Sequence, residues 1–320
     1  MPPVPPTVLL GPQRLQPTLV EALDAFGIQG PIVAVTAGWE EREDEVESLE
    51  AHIRRPVRNL QLFHRAETVF LEDWRLAAAW RERRVRLREI QDLYRARLVH
   101  LVRAVRDLDR REGRQEFLAP ERQAALETVR ELDRRHGERL EEYHRSFRRG
   151  AKPEESRPLA AQRKEVMEIL VGAAAVTLAG GNVAVLMNRL RLFGLEETLR
   201  GHAVFAWSAG AMVAAERIVI FQDDPPQGPG NPEVFGRGLG LCPEVLPLPH
   251  ASKRLRLEDP GRVARFARRF GDRTCLVLDP GSGIGWDGRT WSRAAGGMRR
   301  LTVRGTVEEM DLPALAGGLR

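Results

Sequence analysis

Residues 204–211 read Val-Phe-Ala-Trp-Ser-Ala-Gly-Ala, a short apolar run that ends in a serine and very small residues. This order is typical of a nucleophile elbow, in which a strand turns sharply into a helix and presents a serine at the carboxyl end of a sheet. Small residues flank such a serine because the strand and the helix pass close together. The general pattern is Gly-x-Ser-x-Gly, and here Ala206 stands at the first glycine position. A serine that caps a core helix gives a similar pattern, so both interpretations of Ser208 stay open.

Two further stretches favour the elbow. Residues 174–179 form an apolar run typical of a buried strand, and a Gly-Gly-Asn turn at 180–182 joins it to an amphipathic helix. Residues 245–249 form a second predicted strand, which ends at His250. Among the seven histidines, only His202 and His250 are expected near this half of the sheet, and His202 precedes the serine strand. His250 is therefore the candidate base for Ser208.

Three short motifs resemble those of the serine peptidases that include aspartyl dipeptidase (peptidase E) and cyanophycinase. They are Ala179-Gly180-Gly181-Asn182, Trp207-Ser208-Ala209-Gly210-Ala211 and Pro249-His250. The resemblance covers residues 170–285, with weaker support from the amino-terminal strands. It implies a class I glutamine amidotransferase-like α/β fold, with a parallel sheet flanked by helices.

The resemblance also implies roles for individual residues. Ser208 would be the nucleophile and His250 the general base, while the backbone N–H groups of Gly181 and Ala209 would form the oxyanion hole. The substrate-binding residues that it suggests are Gly180, Asn182 and Asp223. Asp223 corresponds to an aspartate in the loop after the elbow helix, and we expect it to contact a substrate amine.

The chain departs from this family at the acid that orients the histidine. A glutamate is expected where the sequence has Pro280, and Asp279 lies one residue earlier. A shift of one residue along a strand turns a side chain to the opposite face. Asp279 can still serve if the strand has already ended, and we take it, or an acid from a neighbouring loop, as the third catalytic residue. An alternative is a non-catalytic member whose pocket binds a small ligand and whose long helical segment mediates protein assembly.

The amino-terminal third predicts the first strands of the same sheet. Strands are expected at 8–11, 32–38 and 57–63, separated by a helix at 17–26 and an acidic helix at 40–53. This βαβαβ order indicates a parallel sheet. Arg14 follows the first strand at the edge where α/β sheets bind ligands, and we expect it to hold a substrate carboxylate.

A long arginine-rich segment interrupts this pattern, and it predicts two amphipathic helices that form an antiparallel hairpin. The first apolar stripe is Leu87, Ile90, Tyr94, Leu98, Leu101, Val105 and Leu108, and the second is Leu126, Val129, Leu132, His136, Leu140, Tyr143 and Phe147. We divide the chain into residues 1–73 and 151–320, which form the α/β domain, and the inserted hairpin at 74–150. The stripes either pack on each other beneath solvated charges, or form an arm for self-association, a protein partner or an anionic ligand.

Composition indicates a cytoplasmic protein that uses no cofactor or metal. The sequence contains no apolar run of membrane-spanning length, and its start does not resemble a signal peptide. The cysteines, Cys242 and Cys275, have no metal-type spacing, and no phosphate-binding glycine motif is present.

The net charge and its distribution along the chain argue against a nucleic-acid partner. The net charge is only +5, and the positive excess lies in residues 75–150, which hold 21 arginines against 14 acidic residues. That segment lacks the interleaved exposed aromatics of a base-stacking surface. The resemblance to the serine peptidases instead implies a small peptide or amide as the substrate.

Overall fold

The computed structural model describes residues 4–224 and 230–312. Its strands are β1 (Thr7–Leu10), β2 (Ile32–Val35), β3 (Val57–Asn59), β4 (Ala175–Leu178), β5 (Val204–Trp207), β6 (Arg217–Ile220), β7 (Glu233–Arg237), β8 (Val245–Pro249), β9 (Thr274–Leu278), β10 (Gly283–Trp286), β11 (Trp291–Ala295), β12 (Arg299–Leu301) and β13 (Val307–Glu309). Its helices are α1 (Leu19–Ala25), α2 (Glu47–Ile53), α3 (Leu62–Glu72), α4 (Trp74–Arg110), α5 (Gln115–Ala151), α6 (Arg157–Leu170), α7 (Val183–Phe193), α8 (Leu195–Thr198), α9 (Ala209–Ala214), α10 (Ala251–Arg254) and α11 (Pro260–Arg269). For the proline-rich stretch 223–232 the sequence predicts either a lid over the site or an ordinary surface loop, and residues 225–229 of it lie outside the described part.

The main sheet has seven strands in the order β11-β10-β1-β5-β4-β2-β3. The five strands from β1 to β3 in this order run parallel, and β10 and β11 extend the sheet in antiparallel fashion. The serine strand β5 lies between β1 and β4, so Ser208 follows a central strand. The predicted α/β class, with a mostly parallel sheet flanked by helices and a long helical segment, is confirmed.

The central strands β1, β2, β4 and β5 are buried along their whole length, which explains why they are almost entirely apolar. Along β5, Phe205 and Trp207 pack into the cluster that contains α1 and α2 residues. Val204 and Ala206 point the other way, into a larger cluster that includes α3, α6, α7 and α9 residues. The alternation follows from the two-residue period of a strand.

The strand that leads to His250 belongs to a second sheet, of order β13-β12-β9-β8. β8 lies at the edge of this sheet and pairs in parallel with β9. Pro247 and Pro249 lie two residues apart and remove two N–H donors, which suits a strand that pairs along one side only. β6 and β7 form a separate hairpin.

Two boundaries in the amino-terminal third differ from the sequence prediction. The third strand ends at Asn59 rather than near residue 63, and α3 begins at Leu62. The buried carboxylate of Glu43 causes this early start, because its Oε2 accepts the N–H groups of Phe63 and His64 at 2.8 and 3.0 Å. The predicted acidic helix also begins later, at Glu47, after an irregular 3-10 turn.

Helices α4 and α5 run antiparallel, as contacts at both ends and at the middle of the pair show. The break falls at residues 111–114, so Pro120 lies inside α5 rather than in the break. Tyr94, Leu98 and Val129 belong to the same buried cluster as the residues of the main sheet. The hairpin therefore packs against the main core, and the division of the chain into an α/β domain and an inserted hairpin stays a prediction.

A buried polar network joins the hairpin to α11. Arg269 of α11 and Asp133 of α5 form an ion pair in which both side chains are less than a tenth exposed. Two bonds of 2.7 Å connect the guanidinium to the two carboxylate oxygens. Tyr94 Oη donates to Asp133 at 2.8 Å and accepts from Arg269 at 2.9 Å. Since every charge here has a partner, removal of one member leaves another buried and unpaired.

We expect Asp133→Ala to lower the free energy of unfolding by about 3–5 kcal/mol, because Arg269 then stays buried without its counter-charge. The double variant Asp133→Leu/Arg269→Met should recover most of this loss. Urea unfolding followed by circular dichroism measures the change. Arg134→Gln on the same helix is the control, since its ion pairs are exposed, and it should leave the midpoint nearly unchanged. Wild-type stability in Asp133→Ala would contradict the role given to the network.

Candidate active site

Ser208 occupies a strained turn between β5 and α9. Its φ of 51° and ψ of −118° are unusual for a residue other than glycine. The side chain is largely buried, and its Oγ lies 3.3 Å from Nε2 of His250. The structure thus brings the predicted nucleophile and base together at the slightly long separation typical of a site without substrate.

Glycines explain how the turn can form. A Cβ atom on Gly210 would lie 2.0 Å from the carbonyl oxygen of Leu178, so α9 can approach β4 only with glycine at this position. A Cβ atom on Gly180 would lie 3.0 Å from Cβ of Ser208, which places the turn after β4 directly against the serine. The small residues that predict an elbow are therefore required by close backbone contact.

The predicted oxyanion donors lie on the two turns that meet at Ser208. Ala209 is the first residue of α9, where backbone N–H groups have no partner within the helix. Gly181 follows Gly180 with a φ of 110°, and a Cβ atom there would lie 2.2 Å from the carbonyl oxygen of Gly38. This arrangement is compatible with two N–H groups beside the serine, and their role as an oxyanion hole stays a prediction.

Two predicted substrate contacts are not brought to the cavity. Asn182 accepts the N–H groups of Ala184 and Val185 at 3.1 and 3.2 Å, so its amide oxygen caps α7. Asp223 is buried, pairs with Arg262 and accepts the backbone N–H of Arg256 at 2.8 Å. Asp223 thus stabilises the loop, although the sequence predicts that it contacts a substrate amine.

A cavity of about 780 Å³ opens beside Ser208. Predicted site residues in its wall are Arg14, Gly180, Gly181, Ser208 and His250. Further wall residues, which the sequence analysis does not identify, include Gln13, Glu45, Ser48 and His52. Nε2 of His52 is shielded from solvent and has no hydrogen-bond partner in the described part of the chain. The sequence signal for these residues is weak, since only their place after β1 or β2 connects them to the carboxyl edge of the sheet.

The environment of His250 favours a neutral imidazole. Partial burial lowers the pKa of His250 below its ordinary value, and the positive charges of Arg254 and Lys253 lower this pKa further. The negative charge of Asp279 raises the pKa of His250. A neutral ring can accept a proton from Ser208 near pH 7, as a general base must.

Asp279 lies beside His250, because these residues directly follow the paired strands β9 and β8. Its carboxylate is held by other groups. It accepts Ser252 N–H at 3.1 Å, Ser252 Oγ at 2.5 Å and Arg299 at 2.7 Å. In residues 4–224 and 230–312, no hydrogen bond joins Asp279 to the imidazole. Asp279 therefore affects His250 through its negative charge and through its hydrogen bonds to Ser252, which lies in the turn that follows His250.

The described part of the chain also contains histidine, cysteine and acidic side chains of the types that bind metals. Within these residues, no three His, Cys, Asp or Glu side chains come together in a way that suits a metal ion. Cys242 and Cys275 are free and buried, and burial raises the pKa of both thiols. None of the described helices combines the length and apolar character that a membrane crossing requires.

Comparison with known proteins identifies a family for this chain. The model of peptidase family S51 matches residues 134–293, half of the chain. The match includes Ser208, His250 and Asp279 and excludes strands β1 to β3. No curated protein matches the sequence.

The charges around His250 predict how its titration responds to substitution. Lys253→Gln removes a positive charge that disfavours the imidazolium, so the pKa of His250 should rise. NMR titration of the ring protons measures this pKa. The wild-type ring should stay neutral to a pH below the ordinary imidazole value of about 6.5. Arg268→Gln, on the exposed side of α11, is the control and should leave the titration unchanged. A higher pKa in the wild type than in Lys253→Gln would contradict this account.

Proposed function

Because the chain belongs to peptidase family S51, and is thus of the serine peptidase type, we propose that it cleaves a peptide or amide bond with Ser208 as nucleophile and His250 as base. One observation carries this proposal. Oγ of Ser208 sits on a strained strand-to-helix turn, 3.3 Å from Nε2 of His250, in the wall of a large cavity. Strain at such a position is typical of a residue that the fold holds for function.

The proposed reaction begins when Oγ of Ser208 attacks the carbonyl carbon while Nε2 of His250 takes the hydroxyl proton. The carbonyl oxygen becomes an oxyanion, which the N–H groups of Gly181 and Ala209 stabilise. The C–N bond then breaks, and His250 returns the proton to the leaving amine. A water molecule hydrolyses the resulting ester by the same steps and frees the serine.

We propose that the substrate is a small peptide or amide, in keeping with the size of the cavity. Arg14 is exposed in the cavity wall, and no carboxylate forms an ion pair with it in the part of the chain that the structure describes. Its guanidinium is thus placed to hold a substrate carboxylate through two parallel hydrogen bonds.

The surroundings of His250 favour one alternative function, which is the binding of a small ligand without cleavage. Among the described residues, no hydrogen bond holds the second ring nitrogen of His250. In a serine triad, a carboxylate at this nitrogen fixes the tautomer and the orientation of the ring. A protein that binds a small ligand in the same cavity without cleaving it would not need that contact.

A fluorophosphonate probe distinguishes the two candidates. We expect covalent labelling of the wild type, because His250 activates Ser208, and loss of labelling in Ser208→Ala and His250→Ala. Intact-mass spectrometry measures the adduct. Ser146→Ala is the matched control, since it removes an exposed hydroxyl on α5 and should keep the label on Ser208. Equal labelling of the wild type and Ser208→Ala, or none in either, would favour the ligand-binding alternative.

Asp279→Asn should reduce the labelling rate by roughly 10- to 100-fold, as expected for a residue that acts through its neighbours. A direct triad acid would cost on the order of 10⁴-fold. We expect the smaller loss because Asp279 contacts Ser252 and Arg299 rather than the imidazole ring. The rate constant of labelling separates the two cases. A loss of 10⁴-fold would mean that Asp279 bonds the imidazole directly during the reaction.

A further inference from the structure

A second, smaller cavity lies where the hairpin meets α7, and Ser208 and His250 are not part of its wall. Its volume is about 120 Å³. Its charged wall residues are Arg83, Arg145, Arg148, Arg191, Glu141 and Glu196. With four arginines against two glutamates, the wall carries an excess of positive charge.

Arg83 is the most buried of these charges, with only 3% of its surface exposed. Its guanidinium stacks over Trp80 and Phe147 at 4.8 and 5.5 Å and donates to the amide oxygen of Asn188 at 2.7 Å. None of the ion pairs within 4.0 Å in the described part of the chain includes Arg83. A buried positive charge with no carboxylate within ion-pair distance is unfavourable, so Arg83 favours an anion in this cavity.

The contacts of His144 also favour a hydrogen-bond acceptor in this cavity. Guanidinium groups approach both of its ring nitrogens, Arg83 at 3.3 Å from Nδ1 and Arg191 at 2.7 Å from Nε2. Burial and the two arginines lower the pKa of His144 to about 2, so the ring is neutral. A neutral imidazole accepts at only one nitrogen. One arginine therefore faces a ring N–H, and an acceptor in the cavity would relieve this contact.

Glu141 indicates that a ligand of this cavity also needs a hydrogen-bond donor. Its Oε1 is buried and has no hydrogen-bond partner among the described residues. The nearest guanidinium nitrogen, on Arg191, is 3.7 Å away. A buried carboxylate oxygen without a donor is costly. The ligand that completes the site must accept from arginines and donate to a carboxylate.

We propose that this cavity binds inorganic hydrogen phosphate. Its charged oxygens accept from Arg83 and Arg191, and its single O–H donates to Glu141. One water needs only about 10–15 Å³ of such space, so a cavity of about 120 Å³ has room for a small tetrahedral ion. Bound phosphate would fix the hairpin to α7, since Arg83 lies on α4 and Arg191 on α7.

Thermal unfolding of the full chain at constant ionic strength, with increasing phosphate, tests the proposal. The midpoint of the wild type should rise in a saturable way. Arg83→Met should fold without phosphate and lose this response, because methionine fills the space between the aromatic rings without a charge. Arg88→Met is the matched control on the exposed face of α4 and should respond like the wild type.

Sulfate tests the hydrogen bond to Glu141, since it has the same shape but no O–H near neutral pH. We expect the wild type to bind phosphate roughly tenfold or more tightly than sulfate. Glu141→Gln, which does not depend on how Arg83→Met folds, should abolish that preference. The proposal is overturned if wild-type unfolding shows no saturable response, if Arg83→Met responds like the wild type, or if the wild type binds both ions equally.

Discussion

The geometry at Ser208 depends on the close approach of backbone segments at the carboxyl ends of β2, β4 and β5. A Cβ atom on Gly181 would meet the carbonyl oxygen of Gly38, and one on Gly210 would meet that of Leu178. With no side chains between them, these segments determine one another's positions. The packing thus holds Ser208 in a conformation that it would rarely adopt alone, and it places the serine beside the turn that follows β4.

The second half of the site belongs to another sheet, and electrostatic contacts hold it in place. His250 and Asp279 end the neighbouring strands β8 and β9, and Arg299 extends from β12 to the Asp279 carboxylate. Ser252 connects the same carboxylate to the turn after His250. The distance between Ser208 and His250 therefore reflects how the two sheets pack, with α9 between them.

The sequence predicts those features of the fold and site that local patterns encode. Strand periodicity gives the parallel order, and small residues around Ser208 mark the turn. Contacts between distant segments are not encoded in this way. The sequence near Asp223 gives no sign that Arg262 occupies its carboxylate, and the spacing of α2 does not place His52 in the cavity. An apolar stripe such as that of α4 shows that one face is buried but not which surface covers it.

The position of the hairpin in the chain has a consequence for how the protein folds during synthesis. The hairpin separates β2 and β3 from β4, although β2 and β4 pair side by side. Its two helices contact each other locally and form early, which brings the distant strands together at a lower entropic cost than an open loop of the same length. A ribosome completes this hairpin before it makes β4. We therefore expect the hairpin to serve as a template on which the rest of the sheet assembles.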